Sequence, residues 1–412
     1  MKNVYKQYIK KRYKPKRNEI VCEFYFEPRK KAREAAGAIA AESSTGTWTT
    51  LSTMQLKRMA KFGAKVFELK KNKVKIAYPL DLFELGNMPQ IYSSIAGNIF
   101  GMKEIKNLRL VDVYFPAKLT KSFKGPQFGL QGVRKILGVK KRPLCGTIVK
   151  PKLGLTSKEH AKVAYESWIG GLDIVKDDEN LTSQPFNKFK QRARQTIKLK
   201  KKAEKETGEK KIYMCNVTAE TNEMLKRAKF LKSLGNEYAM VDILTAGWSG
   251  LQSLRNELQK LKLVIHGHRA MHAAFTRNPK HGIKMSVIAK TARLIGVDQL
   301  HIGTAVGKMA EDKKAVLENI AALKNKMSGI KRTFPVCSGG LQPAHVPKLV
   351  KYFGHDIIIQ AGGGVHGHPK GTKAGARAMR QAIDAVMKKI SLKKYIKKHN
   401  ELRLAIKKWG YK

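Results

Sequence analysis

From about Lys135 onward, short apolar runs alternate with amphipathic stretches of helical length, and no other feature of the chain limits its fold so tightly. The runs are Leu144 to Val149, Asp173 to Val175, Ile212 to Val217, Tyr238 to Val241, Leu263 to Ile265, Gln299 to Ile302, Phe334 to Val336 and Ile357 to Ile359. A strand followed by a helix followed by another strand makes a parallel sheet, and eight such units in succession close it into a (β/α)8 TIM barrel. The residues before the barrel have a different texture. Ile20 to Phe26 alternates as a strand, Thr53 to Glu68 has helical spacing through Met54, Leu56, Met59, Phe62 and Val66, and Lys73 to Tyr78 is strand-like again. The expected α/β chain therefore has an N-terminal α+β, ferredoxin-like domain over 1–122 and a catalytic barrel with a C-terminal helical extension over 123–412.

In a barrel of this kind the βα loops converge at the C-terminal ends of the strands, where functional groups collect. Six of the eight predicted ends carry ionisable groups or glycine turns: Lys150 and Lys152 after strand one, Lys176 to Glu179 after strand two, His266, His268 and Arg269 after strand five, His301 at strand six, Ser338-Gly339-Gly340 at strand seven and Gly362-Gly363-Gly364 at strand eight. Glycine turns expose backbone N–H groups that can cradle a phosphate, and Arg269 with His268 and His301 could hold a second one. The implied substrate is a bisphosphate spanning the mouth.

Between the two phosphate positions lies GLDIVKDDEN, Gly171 to Asn180. Ile174 and Val175 end a buried strand after a Gly-Gly turn, so the pleat sends Lys176 and Asp178 to one side and Glu179 joins them when the chain turns. Taken alone, such a run also fits a solvated loop whose charges pair with one another. At a barrel mouth, its oxygen donors suit Mg²⁺, which needs few protein carboxylates. Lys150, expected to have its pKa lowered by neighbouring cations such as Lys152, is a candidate general acid/base. A metal polarising a carbonyl beside such a base gives enediolate chemistry.

The chain has 83 Lys and Arg against 31 Asp and Glu, a formal net charge of +52 over 412 residues. That excess suits polyanions or phosphorylated substrates and permits non-specific polyanion binding, yet the lysines are spread along the whole chain, as a compositional bias would leave them. The lysine pairs 388/389, 393/394 and 397/398 read as a solvated face with snorkelling stems. Cys22, Cys145, Cys215 and Cys337 occur singly and read as buried free thiols. No apolar run is long enough for a signal peptide or a membrane span, so a soluble, cytoplasmic protein without membrane partners is expected.

Several motifs occur in a fixed order: AAESSTGTW (Ala40 to Trp48), GNIFG (Gly97 to Gly101), GTIVKPKLGL (Gly146 to Leu155), GGLDIVKDDEN, HGHRAMHA (His266 to Ala273), HIGTAVGK (His301 to Lys308), SGG and GGG. Together they resemble the large subunit of ribulose bisphosphate carboxylase/oxygenase, Rubisco, over about Ile20 to Lys389. The resemblance implies Mg-dependent enolisation of ribulose-1,5-bisphosphate, addition of CO₂ or O₂, hydration and cleavage to 3-phosphoglycerate. It implies that CO₂ carbamylates Lys176 as an activator and that the carbamate, Asp178 and Glu179 hold Mg²⁺. Lys150 would move protons with Lys152 positioning it, His268 would assist hydration, and Lys308 would close over CO₂. Arg269, His301 and Ser338 would bind substrate. Gly339, Gly340, Gly362 and Gly363 would meet one phosphate with Thr47 and Trp48, while Glu42 and Asn98 would reach into a neighbouring subunit's barrel.

A homodimer or an oligomer of dimers follows, and no small subunit is expected. Ile302 and Ile148 replace a serine and a threonine of plant-type enzymes, and MAEDKK after Gly307-Lys308 lacks the family's frequent Glu two places after the lysine. An archaeal-like form III enzyme serving nucleotide salvage is the preferred subtype. The rival readings are a Rubisco-like enolase or isomerase of another phosphorylated sugar and a basic nucleic-acid-binding scaffold.

Overall fold

The computed structural model describes residues 3–29, 31–49, 51–53, 56–307 and 311–411, and divides into two compact units. The first comprises Met1–Gly125, Met271–Ile295 and Lys326–Ile330. Its strands Ile20–Pro28, Lys65–Lys70, Lys73–Tyr78 and Ile105–Tyr114 form an antiparallel sheet in the order fourth, first, third, second, extended on the fourth strand by the short parallel strand Gly282–Ile283. Along Ile20–Pro28 the alternate residues Ile20, Cys22, Phe24 and Phe26 are fully buried, as a pleated strand with one covered face requires.

The helical spacing over Thr53 to Glu68 does not survive as one helix. Helix covers Leu56–Ala60 only, Lys65–Lys70 is a strand, and Met54 and Gln55 lie outside the described residues. The reason is pairing: Val66 is buried opposite Ile76, and Leu69 opposite Val74, in a hairpin closed at Lys70 and Lys73. A β-branched residue at the centre of that hairpin gains more from cross-strand packing than from an exposed helical turn.

The second unit, Pro126–Ala270, Gly296–Asn325 and Lys331–Lys412, contains all eight predicted barrel strands. They are Leu144–Ile148, Ile174–Lys176, Ile212–Met214, Tyr238–Asp242, Val264–His268, Gln299–His301, Phe334–Ser338 and Ile358–Gln360. Among the described residues the pairings between them are parallel, in the barrel order three, two, one, eight, seven, six, five, four. The seam between strands three and four is stitched past the end of strand three, where Met240 N–H donates to Cys215 O and Val217 N–H to Met240 O, both at 2.9 Å.

The N-terminal end of this barrel is plugged. Helix Gly129–Leu137 lays Leu130, Val133 and Leu137 against Leu144, Val264 and Phe334, residues at the starts of three strands. Each such buried side chain contributes roughly 1.5–3 kcal/mol. Asp298, fully buried before strand six, fixes the plug: it accepts N–H bonds from Phe128 and Gly129 at 2.7 Å and from Ile265 at 2.9 Å.

All four cysteines are free and buried. Lys393, Lys394, Lys397 and Lys398 are exposed around buried Leu392 and Tyr395. Among the described residues no helix is long and apolar enough to cross a membrane.

Candidate active site

The second strand delivers Lys176 with its side chain wholly buried at the mouth. Its Nζ donates to Asp177 O at 2.8 Å and lies 3.5 Å from Glu179 Oε2. Burial pushes the Glu179 carboxyl up, but the ammonium of Lys176 beside it prevails and holds it down at about 2. Asp178 receives Lys150 from strand one, Nζ to Oδ2 at 2.7 Å. The partner of Lys150 is therefore a carboxylate, where the sequence suggested a cation, Lys152. Two lysines and two acids interleave at the junction of the first two strands.

Asp177 faces the other way. Its carboxylate accepts from Tyr213 OH at 2.7 Å, Arg192 Nε at 3.1 Å and Asn216 N–H at 3.0 Å, all in a fully buried setting. Burial raises its pKa, and Arg192 with the hydrogen bonds outweighs that and lowers it. Alternation sends Asp178 to the mouth with Lys176 and Asp177 into the wall, where it anchors the segment, and the turn beyond the strand brings Glu179 back to the mouth.

Strands five to seven supply a second group. With Gln299 Oε1 accepting, His266 Nδ1 carries the proton at 3.0 Å. Its Nε2 accepts from His301 Nε2–H at 3.0 Å, and His301 Nδ1 takes the Ser338 hydroxyl proton at 2.6 Å. Burial is the main reason both imidazoles are held well below the usual histidine range, with neighbouring His268 and Lys176 acting the same way. His268 pairs through Nδ1 with Asp242 Oδ1 at 2.9 Å, and its Nε2 is 3.6 Å from Glu179 Oε2. Arg269, almost fully buried, lies 2.5 Å from Glu311.

The two glycine turns adjoin. Gly339 and Gly340 have φ of 117° and 69°, conformations that disfavour side chains, and a Cβ on Gly364 would strike Leu341 O at 2.2 Å. A Cβ on Gly362 would meet the Lys150 stem at 3.1 Å, so the absence of side chains lets the eighth strand end approach the first. Space opens beside Gly363, where a Cβ would touch nothing within 4 Å. Lys152 is exposed beside this mouth.

The remaining sequence candidates belong to the first unit. Glu42, Thr47, Trp48 and Asn98 line one cleft of about 480 Å³. Asn98 Nδ2 donates to Glu42 Oε1 at 3.5 Å, and Trp48 is 69% exposed. Lys308 lies outside the described residues. Sequence reasoning missed Asp242, although it ends a barrel strand and the strand-end rule would have found it. It also missed Glu311, whose partner is 42 positions away and leaves no local signal.

Among the described residues no three of His, Cys, Asp and Glu gather as a ready-made cation site. Two carboxylates flank a buried lysine instead, a donor set that fits a divalent cation once that lysine becomes an oxygen ligand.

These features define a (β/α)8-barrel enzyme whose chemistry sits at the C-terminal strand ends. The family model for the ribulose bisphosphate carboxylase large chain, catalytic domain, matches residues 129–409, and that for its N-terminal domain matches residues 7–119. The ribulose bisphosphate carboxylase of Methanosarcina barkeri is 51% identical over 98% of this chain and 99% of its own. The octameric Rubisco of Pyrococcus horikoshii, crystallised as a complex with sulfate ion, superposes with a TM-score of 0.96 at 50% identity, covering 98% of this chain and 97% of that one. The dimeric archaeal Rubisco of Hyperthermus butylicus gives 0.93 at 48% identity, covering 100% of both. The chain belongs to the ribulose bisphosphate carboxylase large-chain family.

Proposed function

We propose that this chain is a ribulose-1,5-bisphosphate carboxylase/oxygenase, a carbon–carbon lyase that enolises its substrate, adds CO₂ or O₂ and cleaves the hydrated product to 3-phosphoglycerate. The observation that carries the reading is the placement of Lys176, buried at the mouth and 3.5 Å from Glu179, with Asp178 held by Lys150.

Charge explains why the lysine suits this place. Lys150, Lys176, Asp178 and Glu179 cancel as they stand. Converting the Lys176 ammonium to a carbamate with activating CO₂ would leave two net negative charges in a partly buried site, which is unfavourable unless a divalent cation neutralises them. The Lys176 carbamate, Asp178 and Glu179 would hold Mg²⁺, which when bound would polarise substrate oxygens. Carbamylation and metal binding are then mutually dependent.

The other side chains act directly. Lys150, released from Asp178, carries protons to and from substrate carbons, with Lys152 supporting it. His268, oriented by Asp242, shuttles the proton of the hydration step. Ser338 accepts hydrogen bonds from substrate hydroxyls because its own proton is committed to His301. Arg269 takes one phosphate, and His301 joins it by exchanging its N–H bond to His266 for one to the phosphate. The backbone N–H groups of Gly339, Gly340, Gly362 and Gly363 take the other, joined by Thr47 and Trp48 from the neighbouring subunit that also supplies Glu42 and Asn98. Glu42 and Asn98 complete the barrel of a neighbouring subunit, so the active unit is a homodimer or an oligomer of dimers without a small subunit. The role of Lys308, closure over CO₂, rests on sequence position. The similarity to archaeal enzymes supports a form III enzyme in nucleotide salvage.

The test is fixation of labelled CO₂ into phosphoglycerate from ribulose bisphosphate after preincubation with bicarbonate and Mg²⁺. Absence of labelled product from folded protein overturns the reading.

A further inference from the structure

Arg269, the cation of the proposed phosphate subsite, is 5% exposed, and among the described residues its ion pair is with Glu311 at 2.5 Å. Among the described residues its Nη1 is buried without a hydrogen-bond partner, and both carboxylate oxygens of Glu311 are likewise without hydrogen bonds beyond the ion pair. Burial pulls the guanidinium pKa down, and Glu311 acts against that. A buried guanidinium without any counter-charge costs several kcal/mol. Glu311 therefore compensates a charge that the fold places there for another reason, and it does so with unsatisfied donor and acceptor atoms.

The local geometry favours a contact that can be exchanged. Glu311 immediately precedes Asp312, whose Oδ1 accepts from Ala315 N–H at 2.7 Å and caps helix Lys313–Lys324. The chain is thus fixed just after Glu311, while the side chain reaches across to strand five. Gly303, at φ 89°, makes room for it: a Cβ there would lie 3.3 Å from Arg269 Nη2 and 3.3 Å from Glu311 Cδ.

We infer that Glu311 is an internal stand-in for the substrate phosphate, occupying Arg269 in the ligand-free enzyme and leaving when a phosphate arrives. A carboxylate and a phosphate dianion cannot share one guanidinium face without strong repulsion, so the two compete. Glu311 thereby sets the affinity of the subsite and keeps Arg269 neutralised between turnovers. This inference rests on the assignment of Arg269 to a phosphate.

When a competing internal contact occupies Arg269 nine parts in ten, removing it tightens phosphate binding about tenfold. Calorimetric titration of the full-length protein with inorganic phosphate at constant ionic strength should show that gain in Glu311→Gln. The same variant should have a lower Tm without phosphate and a larger rise in Tm with it than wild type. Glu311→Asp keeps the charge and should bind phosphate close to wild type. Equal affinity in wild type and Glu311→Gln, with binding lost in Arg269→Gln, overturns the stand-in role and leaves the phosphate assignment intact. Equal gains in the Gln and Asp variants also overturn it, since charge would not be the cause. Undiminished binding in Arg269→Gln overturns the phosphate assignment itself and the stand-in role with it.

Discussion

The Lys150 ammonium lies 2.7 Å from the Asp178 carboxylate, across the ends of the first two barrel strands. One proposed proton carrier is therefore stored on one proposed metal ligand, and neither is free until the other has a new partner. Lys150→Met should lower carboxylation by about 10²–10⁴-fold, the usual worth of a positioned acid/base. Lys150 is partly exposed but Asp178 is buried, so the carboxylate left without its ammonium should also lower the Tm. Steady-state CO₂ fixation with parallel thermal melts checks both.

Lys176→Ala should abolish both carboxylation and enolisation, because among the described residues no third His, Cys, Asp or Glu joins Asp178 and Glu179 as a ligand. Exchange of the substrate's C3 proton with labelled solvent reports enolisation separately. Lys308→Ala should lose carboxylation and keep measurable exchange; equal loss of both would remove Lys308 from the CO₂ step. Chelation should silence the wild-type enzyme, and Mg²⁺ with bicarbonate should restore it.

Acid should destabilise the fold through its neutral histidines. His266 and His301 are held well below the usual range, and His366, half-buried, is held at about 4 by desolvation, with the charge of Lys150 acting the same way, despite its bond to Ile148 O. Unfolded histidine titrates near ~6.5, so below that pH the unfolded chain binds protons that the folded chain refuses. Their contribution is complete above pH ~6.5 and declines as pH falls, by up to about 1.4 kcal/mol per pH unit for each histidine, ending for His366 near 4. Urea midpoints between pH 7.5 and 4.5 should fall accordingly. His366→Gln should flatten the slope, and an unchanged slope would exclude that residue from it.

Asp298→Ala provides a control remote from the mouth. It strips the acceptor from three buried N–H groups, at Phe128, Gly129 and Ile265. Stability should fall by about 3 kcal/mol or more. The kcat of the folded fraction should stay near wild type, and a large drop would mean that the plug helix shapes the mouth.

The barrel could be read from sequence because each strand is a short apolar run whose next residues change character, as at Val175–Lys176 or Ile265–His266. The mouth could be read for the same reason, since strand ends are fixed by sequence position. Val66 shows where this stops. Its spacing from Phe62 and Met59 fits a helix, and pairing with Ile76 on one side and Ile9 on the other makes it a strand residue. The partners of Asp177 and Arg269 are equally non-local: Tyr213, Asn216 and Glu311 reach them through the closed barrel, and no periodicity announces such meetings.

The division of labour between Asp177 and Asp178 amounts to a parity rule. One residue inserted or deleted between Ile174 and Lys176 would leave the composition of the acidic run almost untouched. Yet it would exchange odd for even, turning the wall anchor into the opening and the ligand into the wall. This stretch should therefore tolerate conservative substitution far better than any change in length. In a library of variants, the frame of the segment would be the heritable quantity and its spelling secondary.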